Sequence, residues 1–143
     1  MPERTLEERI DQLRDLAAVV SVTPAGADRF TCEEPDWFGE RIFGGVIVAQ
    51  ALNAALQTVE GGMRPHSLHG YFLRAARPGG GVELEVDRLR DGRSFSTRHV
   101  TMRQDDRLVF WAMSSFHADE QGDEYQLAMG ADVPSPDDAE PSD

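Results

Sequence analysis

The longest uninterrupted apolar pattern of the chain lies in its first half. Residues 46–59 are fourteen residues without proline, glycine or a charged side chain, which is enough for about four turns of helix. Placed at about 100° per residue, the apolar side chains cover one broad side; they are Val48, Ala51, Leu52, Ala55, Leu56 and Val59. Because a surface helix normally carries charge on its outer side, this pattern predicts a helix that the rest of the domain surrounds.

Three amide side chains form a narrow stripe along this predicted helix. Gln50, Asn53 and Gln57 lie at positions i, i+3 and i+7, a spacing that places them on one side of a helix. Because the stripe carries no charge, we expect it to face something other than bulk water. Three interpretations stay open: the amides line a crevice beside the helix, face a partner, or hydrogen bond to neighbouring backbone.

The rest of the chain predicts one further helix and several strands. Helical spacing of apolar residues indicates an amphipathic helix at 3–20, ended by turn residues at 23–26, and residues 28–32 are a candidate short strand. Longer strand-like runs follow the central helix at 66–74, 82–87, 94–104 and 108–116. Their short connections, such as the hairpin signal Asp91-Gly92, favour antiparallel neighbours.

The last predicted strand is apolar on both faces. One face carries Leu108, Phe110, Ala112 and Phe116, and the other carries Val109, Trp111 and Met113. One face can pack on the helix, whereas the other needs a cover, so we predict self-association or a partner domain. The elements together predict an α+β fold in which an antiparallel sheet wraps around a central helix at about 46–59.

Charge is distributed unevenly along the chain. The formal net charge is −12, but residues 118–143 hold nine acidic side chains and no Arg or Lys, which leaves 14 Arg against 17 acids in residues 1–117. The last segment has too little apolar content to fold alone, and the body lacks the basic patch of a nucleic-acid-binding protein. We therefore expect an N-terminal amphipathic helix at 1–22, a folded domain at 23–117, a flexible acidic tail at 118–143, and no nucleic-acid partner.

Cysteine content and hydropathy bear on the cellular compartment. Cys32 is the only cysteine, so the chain cannot form an internal disulfide or a zinc site made of cysteines. The first ten residues lack an apolar stretch behind a basic start, and no apolar run approaches membrane-spanning length. We expect a cytoplasmic protein with no membrane contact.

Four segments, in order along the chain, resemble one enzyme family. They read RIFGGVIVAQAL, PHSLHGYFLRAARPG, VDRLRDGRSFSTRHVTMRQ and VFWAMSSFH, and they fall within residues 29–117. They resemble the first repeat of the type II acyl-CoA thioesterases, which are double hotdog proteins. The run H-S-x-H-x-Y-F-L-R followed by R-D-G-x-S-F-x-x-R is the most specific part. The later segment YQLAMGADVPSP resembles the linker that leads into the second repeat.

The resemblance implies a single hotdog domain at 23–117 that hydrolyses fatty acyl-CoA to free acid and CoA. It implies no cofactor besides the CoA that belongs to the substrate. In the family, the catalytic Asp, Thr or Ser, and Gln lie in the second repeat, which this sequence does not contain. We therefore expect a homodimer or a complex with a separate second hotdog chain. The alternatives are a catalytically silent hotdog module that binds acyl-CoA or supports a partner and, less favoured because the helix has no Asp-His pair, a dehydratase or hydratase.

Backbone donors for this chemistry are expected at the start of the central helix. Thioester hydrolysis needs a base that activates water, donors for the developing oxyanion, and a groove for the substrate. Gly44 and Gly45 precede the apolar run, and their N–H groups and that of Val46 can bind substrate at a helix N-terminus. Alternatively, the glycines only let the helix approach the sheet closely.

The base is harder to place, because the predicted central helix has no Asp or Glu. The catalytic candidates are Gln50 and Asn53 on the amide stripe, and His117 at the end of the last strand. His117 falls about where the resemblance places the catalytic Gln when the two repeats are overlaid, and an imidazole can act as a base near neutral pH. A structural or merely exposed His117 is the alternative.

His69 and Arg93 complete the candidate binding residues. His66 and His69 are three positions apart on a predicted strand, so they should point to opposite faces and form no metal pair; we expect no metal site. His69 is a candidate for substrate contact, or else a hydrogen-bonding residue of the core or an interface. Arg93, beside a tight hairpin, can meet a phosphate of CoA or stay solvated.

Overall fold

The computed structural model describes residues 16–32, 39–130, 132–135 and 138 of the 143-residue chain. In chain order its elements are α1 (Leu16–Val19), β1 (Thr23–Gly26), β2 (Arg29–Cys32), α2 (Gly44–Gln57), β3 (Arg64–Phe72), β4 (Val82–Asp91), β5 (Phe95–Gln104) and β6 (Arg107–His117). The part of the predicted first helix that precedes residue 16 lies outside the described residues.

The six strands form one antiparallel sheet in the order β1-β2-β4-β5-β6-β3. Helix α2 packs against one face of this sheet, and the core lies between them. The predicted α+β architecture is therefore confirmed. None of the helices in the described ranges is both long and apolar enough to span a bilayer.

The predicted strand order is right in one half of the sheet and wrong in the other. β4, β5 and β6 are sequential antiparallel neighbours, as their short connections predict. β3 does not pair with β4; it lies at the edge beside β6, and β2 takes the place next to β4. The connection at 73–81 contains Pro78 and three glycines and is long enough to carry the chain across the sheet.

Strand β1 was not predicted from the sequence. Its residues Thr23-Pro24-Ala25-Gly26 read as a turn that ends a helix, yet they pair with β2. Pro24 is compatible with a strand here because β1 is an edge strand, where a missing N–H leaves no gap in a ladder.

Helix α2 begins and ends two residues earlier than the predicted range of about 46–59. Phe43 is extended, with φ −63° and ψ 131°, and the helix starts directly after it at Gly44. At the other end, the Thr58 N–H and hydroxyl both donate to the Ala55 carbonyl. Gly61 and Gly62 follow with positive φ, so the chain turns away from the helix axis there.

The predicted burial of α2 is confirmed, but the buried side is rotated from the predicted one. Ala51, Ala54 and Ala55 are completely buried, as is Gln50, whereas Leu56 is 42% exposed. Small alanine side chains let the helix axis approach the sheet, where the inward-facing residues of β4, β5 and β6 pack against it. The buried side thus includes the alanines together with Val46 and Ile47, and it leaves Leu56 partly exposed.

The outer face of β3, β5 and β6 is partly aromatic and open to solvent. Tyr71 is 56% exposed and Met113 39% exposed, with Trp111 between them half-buried. Val109 was expected on this face but is buried, because a bulge opposite Arg103 shifts the β6 register. The predicted cover for this outer face stays a prediction.

The turn between β1 and β2 carries an ion pair with a consequence for acid stability. Both carboxylate oxygens of Asp28 accept hydrogen bonds from Arg88 on β4, at 2.8–3.1 Å. These hydrogen bonds hold the pKa of Asp28 below its ordinary value of 3.8. Because the folded pKa is the lower one, the stabilisation is present above the unfolded pKa and is lost as pH falls through the folded pKa.

We expect Asp28→Asn to lower the free energy of unfolding at pH 7 by less than about 1 kcal/mol, since the pair is exposed. Asparagine tolerates the positive φ of 55° at this position. Urea unfolding at several pH values should show the difference from the unmodified protein narrowing as pH falls below about 4. If the difference in free energy of unfolding between the two proteins stays constant down to pH 2, the substitution acts through the turn backbone rather than through the charge of Asp28.

Candidate active site at the start of the central helix

In the first turn of α2, two backbone donors have no partner in the part of the chain that the structure describes. The Val46 N–H donates to the Phe43 carbonyl at 3.0 Å, and the Ile47 N–H to the same oxygen at 3.4 Å. The N–H groups of Gly44 and Gly45 have no hydrogen-bond partner among the described residues. The sequence-based inclusion of Val46 as a donor is therefore wrong, because its N–H is already used within the turn. Gly44 and Gly45 remain at the positive end of the helix dipole.

The glycines also allow close packing, as the alternative interpretation held. A Cβ atom added at Gly44 would lie 3.2 Å from Cζ of Phe72 on β3. One added at Gly45 would lie 2.6 Å from the ring of Phe43, which is 70% exposed. The contact at Gly44 is tight, and neither contact occupies the N–H groups of Gly44 and Gly45.

An apolar cavity of about 440 Å³ opens beside this helix start. Its lining residues come from the segment before α2, the first turn of α2 and the end of β3: Arg41, Ile42, Gly44, Ile47, Phe72, Leu73, Arg74 and Ala75. A polar group held at this mouth would have the helix N-terminus on one side and apolar side chains on the other.

A second, larger cleft of about 820 Å³ adjoins this cavity and shares Arg41, Arg74 and Ala75 with it. Its arginine side chains are Arg41, Arg74, Arg77 and Arg107, and Glu40 and Asp105 are its carboxylates. Sequence reasoning missed this cleft, because its arginines are up to 66 positions apart and only the observed strand order brings their segments together.

The amide stripe holds neighbouring backbone instead of lining a crevice. Gln50 donates to the Val19 carbonyl at 2.9 Å, and Asn53 donates to the Val20 carbonyl at 3.0 Å. Gln57 donates to the carbonyl of residue 22 at 3.4 Å. The stripe thus fastens the segment between α1 and β1 to the central helix. The catalytic candidates Gln50 and Asn53 are engaged in this structural task and do not reach the start of α2.

His117 lies at the other end of the domain and on the other face of the sheet. Its ring centroid is 4.5 Å from that of Phe95, and its Nε2 is 3.4 Å from a carboxylate oxygen of Glu120. Arg93, in the β4–β5 hairpin, lies at the same end of the sheet. That hairpin adjoins the C-terminus of α2, as the Arg98–Thr58 hydrogen bonds show, whereas Gly44 is about 21 Å away along the helix axis. The structure therefore does not bring His117 or Arg93 to the helix start.

The prediction that His66 and His69 point to opposite faces is wrong. A bulge between Pro65 and Ser67 places the His66 ring on the outer face, where its Nε2 lies 2.8 Å from the Ser115 hydroxyl. The His69 ring lies on the same face, 4.9 Å from Tyr71. His69 is thus separated from Gly44 by the sheet. Among the described residues, no three His, Cys, Asp or Glu side chains are grouped as metal ligands would be.

Comparison with known families identifies the domain. A family model described as the acyl-CoA thioesterase N-terminal domain matches residues 34–117, more than half of the sequence. The matched range contains the helix start and all four arginines of the adjoining cleft. The chain belongs to the acyl-CoA thioesterase family.

Relatives in this acyl-CoA thioesterase family are longer than the chain. Acyl-coenzyme A thioesterase 8 of Homo sapiens is 37% identical over 122 residues, which are 85% of this chain and 38% of that protein. The tesB protein of Mycobacterium avium subspecies paratuberculosis has a TM-score of 0.78 at 42% identity and covers 87% of this chain and 49% of its own. A protein with a hot dog fold from Alicyclobacillus acidocaldarius has a TM-score of 0.76 at 25% identity, and the match covers 87% of this chain and 47% of that protein. The hotdog fold is confirmed, and the chain spans less than half of each relative.

Proposed function

We propose that this chain takes part in the hydrolysis of fatty acyl-CoA to free acid and CoA, as one domain of a two-domain assembly. The observation that carries the proposal is the start of α2, where the N–H groups of Gly44 and Gly45 have no partner among the described residues and Gly44 lines an apolar cavity. Membership of the acyl-CoA thioesterase family supports the same chemistry.

In this reaction a water oxygen attacks the thioester carbonyl carbon and the carbonyl oxygen becomes an oxyanion. Collapse of the tetrahedral intermediate then breaks the C–S bond, and CoA leaves and takes up a proton. The N–H groups of Gly44 and Gly45 stabilise the oxyanion, aided by the positive end of the helix dipole. No cofactor is needed besides the CoA portion of the substrate.

The base that activates the water is assigned to the second domain. No carboxylate or imidazole is found on α2, and the histidines lie on the far face of the sheet. The same observation favours a second candidate function, a catalytically silent domain that binds acyl-CoA and supplies donors or binding surface to a partner.

The second domain is proposed to join at strand β3. This nine-residue strand is an edge strand of the described sheet. No Asp, Glu, Lys or Arg lies between Arg64 and Arg74, so no charged side chain there discourages pairing with another strand. Phe72 and Leu73 at its end are 56% and 47% exposed, and Phe43 beside them is 70% exposed. A second copy of the chain, or a separate hotdog chain, would cover these side chains and close the apolar cavity.

Edge pairing predicts that the chain forms a homodimer, or gains turnover when a second hotdog chain is added. The double variant Ser67→Lys/His69→Lys places like charges on both paired edges, and we expect it to weaken dimerisation about tenfold. Light scattering after size exclusion measures the assembly. Release of CoA from medium- and long-chain acyl-CoA, followed with a thiol reagent, measures turnover.

Glu83→Lys is the matched control, because Glu83 lies on the same face of the sheet but on interior strand β4. It should change neither assembly nor turnover. A monomer that hydrolyses acyl-CoA at a rate proportional to its concentration would contradict the two-domain proposal. Saturable CoA binding without turnover in any assembly would favour the silent domain.

A further inference from the structure

We infer that the arginine-lined cleft of Arg41, Arg74, Arg77 and Arg107 binds the phosphate groups of CoA and thereby sets the direction in which the substrate lies. This inference rests on the proposed function, since it names the part of the same substrate that the cleft receives. It replaces Arg93, the phosphate contact expected from the sequence, with a different set of residues.

The first support is charge. The cleft is lined by four arginines and two carboxylates, a net of two positive charges in a chain whose formal net charge is −12. Among the described residues, none of these four arginines forms an ion pair, whereas Arg29, Arg88 and Arg98 each do. The four arginines outnumber the two carboxylates, so their mutual repulsion is only partly offset, and a bound polyanion relieves the remainder. Planar guanidinium groups also match phosphate oxygens in bidentate geometry.

The second support is the rigid backbone beneath Arg77 and Arg107. Gln104 is only 7% exposed, and its Oε1 accepts the Arg77 N–H at 2.9 Å. Its Nε2 donates to the carbonyls of Arg77, at 2.7 Å, and of Gly80. Gln104 is also the register partner of Arg107 on β6. One buried amide therefore fixes the turn that carries Arg77 beside the strand end that carries Arg107.

The segments that carry the other two arginines are held by hydrogen bonds as well. The N–H groups of Leu73 and Arg74 both donate to the Val109 carbonyl, at 2.9 and 3.2 Å, and an Nη1 of Arg74 donates to the Leu108 carbonyl at 2.9 Å. The residue after Arg41 donates its N–H to the carbonyl of residue 76 at 3.0 Å. Segments from three separate parts of the chain are thus joined by hydrogen bonds at the cleft, so little order has to be gained when a ligand binds.

The position of the cleft gives the substrate a direction. Arg41 and Arg74 line both the cationic cleft and the apolar cavity at Gly44. With the phosphates at the arginines, the uncharged pantetheine arm runs along the shared wall. The thioester then arrives at the free N–H groups of α2. The opposite orientation would place phosphates against Ile47 and Phe72, where no arginine other than the shared pair is present.

Binding of CoA, dephospho-CoA and pantetheine, measured by titration calorimetry on the assembled protein, tests this inference without relying on turnover. We expect affinity to fall in that order, because the 3′-phosphate is removed first and the diphosphate together with its adenosine second. In Arg77→Gln/Arg107→Gln, CoA affinity should fall at least about tenfold while pantetheine affinity stays unchanged. The loss should shrink as salt concentration rises. Inorganic pyrophosphate should compete with CoA in the unmodified protein only.

Arg93→Gln is the control, since it removes one arginine charge at the opposite end of the domain and should leave CoA affinity unchanged. Unchanged CoA affinity in the double variant, or an equal loss for CoA and pantetheine, would overturn the inference even if the protein hydrolyses acyl-CoA. Arginine-dependent CoA binding in a protein without turnover would leave the inference standing and remove only the proposed hydrolysis.

Discussion

Replacing Arg98 with methionine should lower the free energy of unfolding by about 3 kcal/mol, as expected when a buried, hydrogen-bonded charge is removed from its partners. The Arg98 side chain is fully buried. Its Nε donates to the Thr58 hydroxyl at 2.7 Å and its Nη2 to the Thr58 carbonyl at 2.9 Å. Its Nη1 donates to the Arg90 carbonyl at 2.9 Å and the Thr97 carbonyl at 3.0 Å, and its Nη2 also contacts the Asp91 carboxylate.

These bonds join the end of α2 to the β4–β5 hairpin, so a methionine would leave several buried acceptors without donors. Urea unfolding followed by circular dichroism measures the loss. Arg98→Lys should recover only part of it, because one ammonium group cannot reach all these acceptors. Arg88→Met is the control: its ion pair with Asp28 is exposed, so it should cost less than about 1 kcal/mol. Equal losses at positions 88 and 98 would contradict the assigned role of Arg98.

Arg98 also shows what a motif reveals and what it leaves out. The run R-D-G-x-S-F-x-x-R contains both Asp91 and Arg98, and it marked the segment as specific to the family. The motif does not show that Arg98 is buried, because two of its five hydrogen bonds go to Thr58, forty positions earlier. The pattern therefore locates an important residue, and only the packing of α2 on the sheet gives its role.

The central helix was the most predictable part of the fold. The absence of charge over residues 46–59 predicted its burial, and the spacing of Gln50, Asn53 and Gln57 predicted their common side. What they contact depends on where the chain between α1 and β1 lies, which the sequence pattern does not show. Only the structure could therefore decide among a crevice, a partner and neighbouring backbone as the contact of these amides, and it shows Gln50 and Asn53 donating to backbone carbonyls.

The missed cleft and the wrong strand order have one physical cause. Treating β3 and β4 as a hairpin would make the connection at 73–81 a simple turn and would keep Arg74 and Arg77 away from β6. In the structure β3 pairs with β6, so Arg74 and Arg77 lie beside Arg107. Strand pairing is non-local, and local turn signals do not determine which edge a connection reaches. The outer face of the sheet was likewise misread at His66, since a bulge leaves no sequence signature there.

Gly44→Pro should reduce kcat for acyl-CoA by about 100-fold in the assembled enzyme, the effect of removing one oxyanion donor. Proline removes the backbone N–H and is well tolerated at the first position of a helix. Phe43, with φ −63° and ψ 131°, already has the extended backbone that a residue before proline prefers. The helix can therefore form as before, and the substitution isolates the donor.

Gly44→Ala is the matched control, because it adds the same Cβ near Phe72 but keeps the N–H. The Cβ contact of 3.2 Å is tight, and the half-exposed Phe72 ring can move to relieve it, so the alanine variant should keep kcat within a few-fold. Thermal unfolding of both variants shows whether they share any packing cost. If alanine and proline lower kcat equally, Gly44 acts by close packing alone. If the proline variant turns over normally, the oxyanion is stabilised elsewhere, and the start of α2 loses its assigned role.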